Sequence, residues 1–106
     1  MIRHGLPCAI VPMLDGDRYY EAGWVKIPRG HRWFGKNADY LNRRVSVHGG
    51  ITAVRADGWI GFHAGHPHDV WSVWDTGGHP KENWWGREKM EKQVTSLAYE
   101  ISREGE

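Results

Sequence analysis

The densest group of reactive side chains is Gly61-Phe62-His63-Ala64-Gly65-His66-Pro67-His68-Asp69, which sets three imidazoles and a carboxylate inside seven residues. Neutral imidazoles bind zinc or a related divalent ion, and an aspartate either joins them as a ligand or orients one of them from behind. On that reading the metal ligands are His48, His63, His66 and Asp69. The same residue types perform general acid and base chemistry, because histidine titrates near neutrality and Asp69 would fix a tautomer. On that reading His48, His66 and Asp69 are catalytic. Gly65 and Pro67 argue against a helix here, so the spacing is not that of two helical histidines flanking a glutamate. A solvated loop whose imidazoles satisfy backbone groups is the third alternative for each histidine taken singly.

His48 belongs with this group for a second reason. In Val47-His48-Gly49-Gly50-Ile51, an imidazole at a strand end adjoins Gly49 and Gly50, which can adopt positive φ and let a ligand approach the backbone. An antiparallel sheet would bring the chain at His48 close to the chain at His63. The plainer reading is a turn in which the two glycines serve geometry and His48 faces solvent.

A third segment, Ile27-Pro28-Arg29-Gly30-His31-Arg32-Trp33-Phe34-Gly35-Lys36, interleaves cations with aromatic rings. Arg29, Arg32 and Lys36 suit phosphate oxygens, Trp33 suits a base, and His31 adds a hydrogen-bonding group. Neither a dinucleotide-binding glycine pattern nor a phosphate-loop pattern is present. Trp71 and Trp74 follow the histidine cluster at a spacing that suits a binding wall, either for a base or for a protein partner. Trp59, and either Trp84 or Trp85 at the helix start, read as core. Cys8 reads as a small buried hydrophobe.

These residues need a scaffold. Met90, Val94, Leu97, Ala98 and Ile101 recur at helical spacing and predict an amphipathic C-terminal helix of about five turns, with Asn83 as N-cap, Arg103 in the last turn and Gly105 as its stop. Cys8 to Leu14 and Tyr19 to Ile27 flank Asp15-Gly16-Asp17 and predict a hairpin with a loop of three or four residues. Val45 to Val47, Ile51 to Val54 and Trp59 to His63 read as further strands. Pro28 to Arg44 and Ala64 to Glu82 fit neither period and are long enough to be functional loops. The expected fold is α+β: an antiparallel sheet of about four strands with one long C-terminal helix packed on one face, in a single domain over residues 1–106.

Composition narrows the function classes. The chain has 106 residues, 40% hydrophobic and 25% charged, with a formal charge of +1, which disfavours disorder and charge-driven binding of extended nucleic acid. No apolar run approaches the roughly 20 residues of a membrane span and the start lacks an apolar leader core, so no membrane partner and a cytoplasmic location are expected. One cysteine makes neither an internal disulfide nor a multi-cysteine zinc site.

Several of these runs occur together in a pattern. His4-Gly5-Leu6-Pro7-Cys8, Gly23-Trp24-Val25 with Pro28, Gly30-His31 with Gly35-Lys36, Val47 to Thr52, and Trp59-Ile60-Gly61-Phe62 followed by His66 and Asp69 resemble a family of small bacteriophage-encoded proteins of unassigned activity. The family's fixed points, G-H-x-x-[YF]-G-K, V-H-G-G and G-F-D-x-x-H-x-x-D, fall here on Gly30, His31, Phe34, Gly35, Lys36, His48, Gly49, Gly50, His66 and Asp69. His63 stands where that pattern carries aspartate, so a role that needs a carboxylate there does not carry over. The resemblance implies a phage or prophage origin and action in the bacterial host cytoplasm.

Three functions follow as expectations. A phage counter-defence protein would bind and sequester a nucleotide-like host immune signal, such as a cyclic nucleotide, through Arg29, His31, Arg32, Trp33, Lys36, His48, Gly49, Gly50, His66, Asp69, Trp71 and Trp74, without a cofactor and as a monomer or small homo-oligomer. A hydrolase of a phosphoester or nucleotide would use His48, His66 and Asp69, alone or with a divalent metal. An inhibitor would bind a host defence protein through Trp71 and Trp74.

Overall fold

The computed structural model describes residues 1–66, 69–71 and 84–104. The fold is α+β as expected: strands β1 (Ile2–Arg3), β2 (Leu6–Asp15) and β3 (Arg18–Lys26), helix α1 (Ala38–Asn42), strands β4 (Ala53–Val54) and β5 (Trp59–His63), and the long helix α2 (Arg87–Glu104). The strands form one antiparallel sheet of five in the order β1-β2-β3-β5-β4. Among the described residues, no helix is long and apolar enough to cross a membrane.

The hairpin turn is tighter than its sequence suggests. Asp15 pairs with Arg18, leaving Gly16 and Asp17 as the loop, and Gly16 takes φ +62°, the conformation that a two-residue turn matched to strand twist requires at its first position. Val45 to Val47 is not a strand. Its backbone donors are taken elsewhere: the Val45 amide donates to the Leu41 carbonyl, and the Ser46 amide to the Glu100 carboxylate. Only Ala53–Val54 of the Ile51 to Val54 run pairs, and the Pro28 to Arg44 segment contains α1, capped by the Asn37 side chain. Asn83 and Gly105, the expected cap and stop of α2, lie outside the described residues.

Period-two alternation assigns the two faces of the sheet. Leu6, Cys8, Val25, Ile60, Phe62 and Ala64 turn toward α2, whose Met90, Val94, Leu97, Ala98 and Ile101 are buried completely. Gly23 sits at the closest approach: a Cβ there would lie 2.6 Å from the Phe62 ring and 2.7 Å from Val94 Cγ2. Gly23→Ala is therefore expected to destabilise the fold by about 2 kcal/mol, lowering the thermal midpoint by roughly 10 °C in a melting experiment. Cys8 is 3% exposed, and burial raises its thiol pKa, in keeping with a hydrophobic rather than nucleophilic role.

One charge is buried on the helix-facing side. Glu21, 2% exposed, accepts from the Tyr19 hydroxyl at 2.7 Å and from Arg87 Nη2 at 2.6 Å. Burial pushes its carboxyl up, but the bonds from Arg87 and Tyr19 prevail and hold it below the ordinary carboxylate value. A carboxylate lowered on folding contributes stability above its unfolded pKa and loses it as pH falls through the folded one. Stability should thus fall as pH drops below about 4, and Glu21→Gln should flatten that acid limb in unfolding titrations.

Candidate functional site

The site is built at the end of β5, where the chain leaves the sheet beside the first half of α2. The turn Val47-His48-Gly49-Gly50 closes through the Gly50 amide and Val47 carbonyl at 2.9 Å, with Gly49 and Gly50 at φ +71° and +78°. Two polar side chains fix this turn to the fold. Asn42 brackets Ile51, accepting from its amide at 2.6 Å and donating to its carbonyl at 3.1 Å, while Gln93 of α2 accepts from the His48 amide at 3.1 Å. Across the site, the Ala64 amide continues the sheet by donating to the Glu21 carbonyl, and Arg18 donates to the Gly65 carbonyl at 2.6 Å.

Between these two segments stands Asp69. Its side chain is 4% exposed, against 31% for His48 and 32% for His66, so the carboxylate is interior and the imidazoles face solvent. His48 Nε2 lies 2.9 Å and 3.0 Å from the two carboxylate oxygens, and His66 Nδ1 lies 3.0 Å from Oδ2. The His66 amide also donates to Oδ2 at 3.0 Å. Burial acts to raise the Asp69 carboxyl, but the hydrogen bonds from His48 and His66 outweigh it and hold the group below the usual carboxylate range. The carboxylate is therefore charged at neutral pH and accepts N–H bonds from both rings. His48 Nδ1 and His66 Nε2 are then the ring nitrogens not bound to the carboxylate.

Aromatic walls hold the imidazoles. Trp85, 8% exposed, lies 4.3 Å from the His48 ring centroid. Trp71 stacks on Trp85 at 6.1 Å and donates its indole N–H to the Ala64 carbonyl at 2.7 Å, with Tyr19 edge-on behind it. On the other side His63 stacks on His66 at 4.4 Å and meets Tyr20 at 5.8 Å. Burial first, and then the neighbouring His66, lower the His63 pKa, which makes it a neutral ring at pH 7. Gly49 completes the packing: a Cβ there would collide with the His66 ring edge, 2.5 Å from Nε2.

His48, His66 and Asp69 thus converge as the sequence suggests, with His63 beside them and Gly49, Gly50 and Trp71 in supporting places. The same three side chains offer a metal-donor set, since one atom from each lies within 4.8 Å of the others; two imidazoles and a carboxylate suit first-row divalent ions. His63 accepts from the Gly65 amide through Nδ1 at 3.1 Å and meets the group through its ring stack on His66.

The basic loop does not join this group. His31 accepts from the Trp33 amide through Nδ1 at 2.9 Å and donates through Nε2 to the Ile101 carbonyl at 2.7 Å, so both its nitrogens hold the loop to the end of α2. Ile101 lies eight residues beyond Gln93, the anchor of His48, a rise of about 12 Å along the helix. Trp33 is 2% exposed and Arg32 reaches the Glu104 carbonyl, while Arg29 lies over Phe34 and Lys36 over Tyr40. Trp33 is core, not a stacking surface. Trp74 and His68 lie outside the described residues. Of the two candidates at the helix start, Trp85 is the core residue and Trp84 is 38% exposed, while Trp59, read as core, is half-buried on the outer sheet face.

Gln93, Asn42 and Trp85 are the site components that sequence reasoning missed. Gln93 occupies a partly buried position on α2, and a polar residue bordering the apolar stripe is the one signal it gives. The chain matches no family model, no curated protein and no solved structure.

Proposed function

We propose that this protein is a hydrolase of a phosphoester or nucleotide, with His48 and His66 as the acid–base pair and Asp69 as their shared anchor. One observation carries the reading: a single buried carboxylate lies within hydrogen-bonding distance of a ring nitrogen of each imidazole. A carboxylate so placed fixes two tautomers at once and offsets the positive charge that either ring gains.

The proton balance closes within the pair. A water oxygen attacks phosphorus and gives one proton to the neutral imidazole as the new P–O bond forms. The bond from phosphorus to the leaving oxygen breaks, and that oxygen takes a proton from the other ring, present as imidazolium. Asp69 keeps its charge throughout, and its low pKa suits an anchor better than a proton carrier. A second reading is favoured by the 4.8 Å donor group: the same residues would bind a divalent ion that polarises the phosphoryl oxygens.

Turnover separates these from nucleotide capture. Protein treated with chelator is incubated with bis(p-nitrophenyl) phosphate and with cyclic and linear nucleotides, with and without added divalent ions, and heat-released contents are chromatographed. A converted product formed without metal, and abolished by His66→Ala, is the expected result; activity only with added metal supports the second reading. Stoichiometric recovery of an unaltered nucleotide contradicts hydrolysis and supports a sequestering protein of the counter-defence kind.

A further inference from the structure

The outer face of the sheet, opposite α2, runs directly into the site. Along β5 the outward positions are Trp59, Gly61 and His63, and in register on β3 they are Lys26, Trp24 and Ala22. Trp24 lies across Gly61, where a Cβ would come within 2.8 Å of the indole, so the glycine lets the ring lie flat on the sheet. Trp24 and Trp59, both half-buried, border a groove of about 240 Å³ with Ala9, Val11 and Arg55. At the other end of the same face, His63 touches Tyr20 and stacks on His66. Trp59 and His63 are four positions apart in one strand, a distance of about 13 Å.

We infer that this face is the binding platform for a single-stranded oligonucleotide, whose bases stack on Trp59, Trp24 and His63 and whose phosphodiester reaches His48 and His66. The inference rests on the proposed phosphoester chemistry for its reactive end. The groove is smaller than the cavities that enclose a whole small ligand, so it accommodates one flat ring of something longer. Aromatic rings lying on an open sheet take splayed bases and not the edges of a duplex, which keeps its bases stacked on one another. Lys26 and Arg55, flanking Trp59, supply cations for phosphates between stacked bases; the acid on this edge, Asp57, is bound to Arg55 at 2.8 Å. The near-neutral net charge argues against binding driven by charge alone, and a stacking platform does not depend on it.

The test uses a short fluorescein-labelled oligothymidylate, read by anisotropy on the full chain in an Asp69→Asn background that prevents turnover. Saturable binding is expected, weakened roughly tenfold by Trp59→Leu and by Trp24→Leu and restored by Trp59→Phe, with a matching duplex bound more weakly. Melting curves identify any variant that fails to fold, and whichever of the two leucine variants folds then carries the comparison with the parent. Absence of oligonucleotide binding, or equal affinity in the parent and the leucine variants, overturns the platform even if the small diester is hydrolysed. Tryptophan-dependent binding without any hydrolysis upholds the platform and overturns the proposed chemistry.

Discussion

Asp69→Asn is expected to lower the hydrolytic rate by roughly a thousandfold while the chain remains folded. The carboxylate accepts from His48 Nε2, from His66 Nδ1 and from the His66 amide. An asparagine in its place has one oxygen, and its amide nitrogen can donate but not accept. One imidazole must then face a donor, and it does so by moving its proton to the other ring nitrogen. That removes the lone pair the reaction needs and the negative charge that offsets imidazolium. Steady-state kinetics on bis(p-nitrophenyl) phosphate should show the loss in kcat, with KM little changed. A rate within a few-fold of the parent would mean that Asp69 supports the loop and nothing more.

Gly49→Ala is the second large effect, expected to cost about a hundredfold in rate and about 1 kcal/mol in stability. Two causes act together. Gly49 holds φ +71°, a conformation that a side chain disfavours, and its added methyl would occupy the place of the His66 ring edge. The ring must swing away from Asp69, and a displacement of about 1 Å in a positioned catalytic group is enough for a loss of this size. Gly50→Ala serves as the comparison. It has a similar φ of +78°, but its Cβ would meet the Asn42 side chain at 3.1 Å and not an imidazole. A similar stability loss with a smaller rate loss is expected there; equal rate losses would assign the effect to the turn's backbone.

The sequence shows the parts of this fold whose signal is local. Met90, Val94, Leu97, Ala98 and Ile101 keep helical spacing because one face of α2 is buried along its length, and the β2–β3 hairpin declares itself by two alternating runs around a glycine. Val45 to Val47 carries strand-like residues, yet its partners are the Leu41 carbonyl, the Glu100 carboxylate and, just beyond, Gln93. Two of those three are side chains on a helix far along the chain, which no local pattern encodes. The short helix α1 is below the length at which periodicity becomes visible, and only Asn37 as a cap marks it.

The candidate site divides in the same way. His48, His66 and Asp69 are legible because their residue types are few and their glycine neighbours mark turns. That Asp69 serves both rings depends on how two loops meet, which spacing does not show. The Arg29 to Lys36 segment misleads for an energetic reason: Trp33 and His31 look available for a ligand, but the domain needs that indole in its core and both imidazole nitrogens to tie the loop to α2. Trp59 reads as core by its size, but Ile60 and Phe62 on the same strand face the core, and alternation sends Trp59, Gly61 and His63 the other way.

The most direct measurement is isotope transfer from solvent. The protein is incubated with a phosphodiester in water enriched in heavy oxygen, and the product is weighed by mass spectrometry beside an Asp69→Asn sample. The acid–base account predicts one solvent oxygen bonded to phosphorus per turnover in the parent and almost none in the variant. A nucleotide bound stoichiometrically and returned at its original mass would contradict it and leave His48, His66 and Asp69 as a ligand-holding group without turnover.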